Sequence, residues 1–240
     1  MSSHANSAYS SELIGLLIED EPRSGVDNMR IDDLLLEQAM CEAPQRRLIE
    51  EHSFHQPLVL RIYRWSEPTL SLGHFQRVED LALAADTQAN PQLREIPWVK
   101  RKTGGGAILH DLELTYSIIV PATWSFQAGT VRTLPDRSGS FDPSKGHSEG
   151  LYRAVHDSVV SGLIELGISA SLSESCTCKV AGRESTEGEP FLCFHRRTPV
   201  DVVVGEHKVL GSAQRRSRFG LLQHGSLLIR SSGQIGRAHV

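Results

Sequence analysis

Apolar side chains along this chain recur in two rhythms, one close to every third or fourth residue and one close to every second. The first opens in DNMRIDDLLLEQAM, where Met29, Leu36 and Met40, with Ile31, Leu34 and Leu35, predict a helix behind an Asp or Asn cap. LVLRIYRW (Leu58 to Trp65) alternates in part, is β-branched and aromatic, and predicts a strand. A proline bend, the short strand TLSLG and a helical HFQRVEDLALAA follow. WVKRK, a glycine turn at Gly104 to Gly106 and AILHDLELTYSIIVP predict a strand, a sharp loop and a second apolar strand ended by Pro121. From Ser148, read as an N-cap, Leu151, Val155, Val159, Leu163 and Leu166 share one helical face, and Gly167 is placed to stop it. VDVVV, the turn GEH, KVLGSAQRR, a turn at Gly220 and LLQHGSLLI predict a three-stranded antiparallel meander.

These elements add up to an α+β fold, a mixed and largely antiparallel sheet flanked by helices. Residues 1 to 25 are expected to form a loose arm or an edge strand, and the stretch 122 to 147 is rich enough in Gly, Pro, Ser and Asp to suggest a lid over a site. At 39% hydrophobic and 22% charged residues the composition is that of an ordinary globular domain, and one domain is expected in 240 residues. The formal charge of -4 gives no basic footprint, so nucleic acid is not an expected partner. Four cysteines are too few for a disulfide framework. The N-terminus lacks the basic start and apolar run of a signal peptide, and no apolar stretch is long enough to span a membrane. The expectation is a cytoplasmic protein with reduced thiols and no membrane role.

Four constellations could carry chemistry. Three successive glycines between strands let backbone N–H groups approach a carbonyl or phosphate, although a tight β-turn needs them as well, and the lysine of a P-loop is absent. Lys208 opens a strand followed by the small residues Gly211, Ser212 and Ala213, over which a bound chain could lie close to the sheet; a solvated lysine is the plainer reading. Cys193 lies among Phe191, Leu192 and Phe194 with His195 and two arginines after it, a setting that suits a thiolate nucleophile as well as a small buried hydrophobe. Cys176 and Cys178 do not complete a recognisable zinc spacing with Cys193 and His195, so no metal site is expected. GHSEG (Gly146 to Gly150) fits the G-x-S-x-G pattern of serine hydrolases, but the strand that should precede it is missing.

Taken in order, WSEPTLSLGHFQ, RKTGGGAILHDLELTYS and HKVLGSAQRRSRFGLLQHGSLLI, with the NM-x-ID run at Asn28 to Asp33, resemble the lipoate–protein ligase and octanoyltransferase family over most of residues 27 to 229. The resemblance implies a biotin/lipoate protein ligase-like catalytic fold with the acyl chain in an apolar tunnel between the glycine turn and the Lys208 strand. It implies that Lys208 contacts the acyl carbonyl or an adenylate phosphate, that Gly104, Gly105 and Gly106 give backbone contacts, and that Ser71, Gly73, Arg101, His110, Gly211, Ser212, Ala213 and Gln214 line the site.

Two activities share that architecture, and the resemblance favours one. A cysteine in a CF pair 15 residues before the lysine motif is similar to the cysteine-dependent octanoyltransferases, as are the ELTYS and QHGS runs. Such an enzyme would use Cys193 and Lys208 catalytically, need no cofactor, take octanoyl from octanoyl-acyl carrier protein and deliver it to a lysine of a lipoyl-domain protein such as glycine cleavage H protein or a dehydrogenase E2 subunit. The alternative is an ATP- and Mg²⁺-dependent lipoate–protein ligase; His74 and Leu114 depart from the ligase pattern, whereas a third glycine at Gly106 resembles it. A non-catalytic protein that binds acyl chains or lipoyl domains is a third reading. Residues 26–234 are expected to be a C-terminally truncated catalytic domain. The last six, Ile235 to Val240, are expected not to belong to the natural protein, because ATC GGA AGA GCA CAC GTC TGA, a widely used sequencing-library adapter, translates to Ile-Gly-Arg-Ala-His-Val and a stop.

Overall fold

A computed structural model describes residues 15–39, 57–81, 91–121, 124–127, 130–133, 147–173, 191–217 and 220–230. The expectations for Cys176, Cys178 and residues 235–240 lie outside the described residues. The chain runs through β1 (Gly15–Glu19), α1 (Gly25–Gln38), β2 (Leu58–Tyr63), β3 (Thr69–Leu72), β4 (Trp98–Lys100), β5 (Ile108–His110), β6 (Glu113–Pro121), β7 (Trp124–Gln127), β8 (Thr130–Thr133), α2 (His147–Glu165), β9 (Ala170–Leu172), β10 (Val202–Val204), β11 (His207–Ser217) and β12 (Gly220–Leu228). Seven of the strands form one sheet in the order β1-β2-β6-β12-β11-β10-β9. Only β1 and β2 run parallel in it, so the edge strand was the form taken by residues 15–19. A second sheet, β4-β3-β5, sits beside the first, and β7 and β8 form a hairpin within the stretch expected to be a lid loop.

Strict alternation along β6 divides the core. Tyr116, Ile118 and Val120 join Leu151 of α2, Val202, Leu210 and Leu221 on one face of the large sheet, while Ile119 joins Leu36 of α1 and Leu222 on the other. Leu70, Leu72, Leu93, Ile96, Leu109 and Leu192 close a separate cluster under the small sheet.

Three expectations need correction. AILHDLELTYSIIVP is two strands in two sheets: β5 pairs with β3 and β6 with β2 and β12, and the break at Asp111-Leu112 passes the chain from one sheet to the other. The cap of α1 is Ser24, whose Oγ accepts from the Asp27 amide, and the fully buried face of this helix is Gly25, Asn28, Asp32 and Leu36, with Leu34 46% exposed. A polar pair takes the inward positions because Arg61 of β2 lies beneath them, its guanidinium donating to Asp32 Oδ1 (2.9 Å), Asn28 Oδ1 (2.7 Å) and Asp20 Oδ2 (2.8 Å). The helix expected to be capped by Ser148 begins one residue earlier, at His147, so Ser148 lies inside its first turn. It does stop at Gly167 (φ +80°): the Ile168 amide donates to Leu163 O and the Gly167 amide to Ile164 O, while Leu166 lies past the buried stripe and is 78% exposed.

Candidate active site

The glycine turn is a packed structure rather than an open loop. Arg101, buried at the end of β4, donates from Nη1 to Ser71 O (2.7 Å) and Oγ (3.0 Å) and from Nη2 to Gly104 O (2.9 Å) and Gly106 O (2.6 Å). Burial pulls this guanidinium down to about 10, which still leaves it charged at neutral pH. In a trans peptide the N–H lies opposite the C=O, so with Gly104 O on Arg101 the Gly105 N–H points away from the guanidinium. Gly105 adopts φ +90°, where a side chain would be strained. A Cβ on Gly73 would lie 2.0 Å from Gly105 O, so that glycine is there to let β3 and the turn meet.

Past the turn, Ala107 bridges to the loop that carries Cys193. The Ala107 amide donates to Phe191 O (2.9 Å) and the Cys193 amide donates to Ala107 O (2.7 Å). Cys193 opens a single 3₁₀ turn, Cys193–His195, and is half-buried. A Cβ on Gly106 would stand 2.9 Å from Phe191 O and 3.0 Å from the Cys193 amide nitrogen, so the third glycine is required by the cysteine loop packed on it.

Lys208 reaches this loop from β11. Its register against β10 jumps from Val202↔Leu210 to Val203↔Lys208, a β-bulge that leaves Val209 over. In a regular strand residues 208 and 211 would face opposite ways; here Lys208 lies across Gly211, where a Cβ would be 2.6 Å from Lys208 Cε. The ammonium donates to Asp201 Oδ2 (2.9 Å), Arg196 O (3.0 Å) and Cys193 O (3.4 Å), and stands 4.0 Å from Cys193 Sγ. Three N–H groups therefore have three oxygen partners, and the longest of these bonds, to Cys193 O, is the one most easily given up to a substrate oxygen.

The remaining expected residues divide by the face they occupy. Ala213 faces the turn, 3.9 Å from a Cβ built on Gly105. Ser212 and Gln214 point to the α2 side. Ser212 Oγ is bonded to Tyr116 OH (2.5 Å) and His156 Nε2 (2.7 Å), and Gln214 donates to Gln223 Oε1 (2.6 Å). Because the pairing of β10 with β11 ends at Val202↔Leu210, the Tyr152 hydroxyl serves Ser212 in place of a neighbouring strand, donating to its C=O (2.6 Å) and accepting from its N–H (3.0 Å). His110 and Ser71 meet each other: His110 Nε2 is 2.8 Å from Ser71 Oγ and its Nδ1 is 2.5 Å from Glu113 Oε1. Its ring stacks on Trp65 at 3.8 Å, and burial lowers its pKa. Ser71, Arg101 and His110 line a narrow cleft between the two sheets with Trp65, Thr115 and Ser226.

Sequence reasoning passed over Asp201, Trp65 and Glu113. A carboxylate inside the apolar run VDVVV was a signal for Asp201, since buried charges are paired, and the H-x-x-E spacing was one for Glu113. Trp65 carried no signal beyond being aromatic. Among the described residues no three His, Cys, Asp or Glu side chains gather as a metal site, and no helix is long and apolar enough to cross a membrane.

Residues 36–136 and 140–237 match the family model of the lipoyl protein ligase A/B catalytic domain. The octanoyltransferase LipM of Carboxydothermus hydrogenoformans is 33% identical over 207 residues, 86% of this chain and 62% of that protein. That of Kyrpidia tusciae is 36% identical over 184 residues, 72% of this chain and 55% of that protein. The chain thus spans little more than half the length of these curated relatives. A bipartite lipoate protein ligase from Thermoplasma acidophilum shares the fold at 20% identity (TM-score 0.55, covering 92% of this chain and 63% of that one). So does a lipoate-protein ligase A solved with ATP, at 20% identity (TM-score 0.51, 92% and 68%). With the family model covering most of the sequence and these relatives above 30% identity, the chain belongs to the lipoyl protein ligase A/B catalytic domain family.

Proposed function

We propose that the protein is an octanoyltransferase of protein lipoylation. It would take octanoyl from octanoyl-acyl carrier protein through a Cys193 thioester and deliver it to a lysine of a lipoyl-domain protein. The observation that carries this reading is the placement of Cys193 Sγ 4.0 Å from the Lys208 ammonium, on a loop clamped to the glycine turn through Ala107. In the first step the thiolate attacks the thioester carbonyl carbon, the tetrahedral oxyanion forms and the carrier thiolate leaves. Thioester replaces thioester, so the step is nearly isoenergetic. In the second, the acceptor amine attacks the Cys193 thioester, an amide forms, and the proton lost by the amine ends on the released Cys193 sulfur. Lys208 supports the oxyanion by exchanging its long bond to Cys193 O for one to the developing charge, an interaction of the kind that contributes about 3 kcal/mol.

The transferase uses no cofactor; ATP and Mg²⁺ belong to the ligase alternative. Gly106 was the feature that favoured a ligase, and its packing against Phe191 O and the Cys193 amide supplies a reason for it unrelated to nucleotide. The reading places the enzyme in the cytoplasm, with acyl donor and lipoyl-domain acceptor as its protein partners.

Intact mass after incubation with octanoyl carrier protein, or with lipoate and ATP, tests it. An octanoyl adduct with the first donor that disappears in Cys193→Ser supports the transferase, because an unassisted hydroxyl is a far weaker nucleophile than a thiolate. Wild-type transfer by Cys193→Ser, or turnover with lipoate and ATP alone, overturns it.

A further inference from the structure

The thioester reading leaves a buried side chain of the site without a role. His224, on β12, is 7% exposed and lines the cleft with Ser71, Arg101 and His110. Its Nε2 lies 2.5 Å from Thr103 Oγ1 and its Nδ1 lies 3.8 Å from Asp32 Oδ2. A carboxylate on that side favours the proton on Nδ1, so Nε2 accepts from the Thr103 hydroxyl. Asp32 is itself held in place by Arg61 Nη1 (2.9 Å), Tyr63 OH (3.1 Å) and Ser117 Oγ (2.6 Å). A chain of carboxylate, imidazole and hydroxyl therefore runs from the rigid face of α1, across β12, to the residue immediately before the glycine turn.

The two ends of that turn are anchored differently. Thr103, fully buried, is tied to His224 and accepts the His74 amide at its carbonyl (2.8 Å). Ala107, at the other end, is tied to Phe191 and Cys193. Displacing Thr103 displaces the turn, and displacing the turn moves the cysteine loop packed on Gly106. We infer that His224 is a positioning residue for acyl transfer: through Thr103 it sets the glycine turn, and through the turn the placement of Cys193 against Lys208. The kinetic part of this inference rests on the transferase reading. The mechanical part does not.

The test uses His224→Leu, His224→Gln, Thr103→Val and the Leu/Val double variant, measuring octanoyl transfer and amide hydrogen exchange over residues 103–107. His224→Leu and Thr103→Val should each lower kcat by about 10- to 100-fold with KM changed by less than about threefold, because misplacement by a fraction of an ångström affects the reacting geometry more than binding. Both should raise exchange in the turn while β6 and β12 stay protected. The double variant should be about as impaired as the worse single one, since both break the same link. His224→Gln, whose amide oxygen can accept the Thr103 hydroxyl, should recover to within about tenfold of wild type. Additive losses, turn exchange unchanged in His224→Leu, or kcat at the wild-type level overturns the inference. Should His224→Leu lose protection throughout the sheet, Thr103→Val, which removes one hydroxyl at nearly constant volume, decides on the same readouts. If the wild-type protein transfers no octanoyl, the functional reading fails while the exchange data still decide whether His224 holds the turn.

Discussion

Replacing Asp201 by asparagine would remove a charge from beneath the site and little else. One atom, Asp201 Oδ2, accepts from both Lys208 Nζ (2.9 Å) and the Thr198 amide (2.7 Å). An amide oxygen in the same place keeps both hydrogen bonds while Lys208 loses its counter-charge. The side chains of the pair are only 4% and 1% exposed, so water cannot substitute for the missing carboxylate. Removing one member of a pair buried this deeply costs about 3–5 kcal/mol, nearly all of it from the charge left behind. With a urea slope of about 2–3 kcal/mol per molar for a domain of this size, the unfolding midpoint should fall by more than about 1 M. Urea titrations of Asp201→Asn, Lys208→Met and the double variant are the assay. Each single variant should lose a comparable amount, and the double should recover to within about 2 kcal/mol of wild type because neither charge remains. A loss under about 1 kcal/mol in Asp201→Asn, or simple addition in the double, would mean that the pair is not desolvated in solution, and the arrangement of Lys208 beside Cys193 would lose its foundation.

Gly106→Ala should destabilise by about 1–3 kcal/mol and lower transfer, since its Cβ meets Phe191 O, the Cys193 amide and Arg196 Nε within 3.1 Å; Gly162→Ala, in an exposed turn of α2 with nothing within 4 Å, should gain up to about 1 kcal/mol. Equal effects in urea titrations would refute the packing account of the third glycine. Burial lowers the pKa of His110, His156 and His224, so the unfolded chain takes up protons near 6.5 that the folded one refuses. Stability should be complete above about pH 6.5 and fall as pH drops below it, by at most about 1.4 kcal/mol per pH unit for each histidine; a flat midpoint between pH 7.5 and 5.5 would contradict this. Hexanoyl should be transferred less efficiently than octanoyl by only about tenfold, because two methylenes contribute about 1.6 kcal/mol of apolar burial, and a far steeper loss in kcat/KM would point to a specific contact at the chain end.

The sequence alone determined the period-two and period-3.6 stretches and therefore β2, β3, β4, α1, α2, the meander β10 to β12 and the α+β class, since those rhythms are set by backbone geometry within each segment, whereas β7 and β8 arose in a stretch read as loop. Its motifs also brought forward Cys193, Lys208 and the glycine turn, because residues that need a special backbone or special chemistry stand out locally. The tertiary structure decided what depends on partners distant in sequence. The apolar pattern of α1 gave no sign that Asn28 and Asp32 face inward, because the reason is Arg61 on another strand. Nor did it show the break at Asp111-Leu112, which is imposed by two different sheets, or that Ser212 and Gln214 turn toward α2 while Ala213 faces the turn. The bulge beside Val209 re-aims Lys208 toward Asp201 and Cys193. A single extra residue between paired strands reverses which face a side chain takes, and its position is fixed by the pairing of β10 with β11, which is a property of the assembled sheet rather than of either segment.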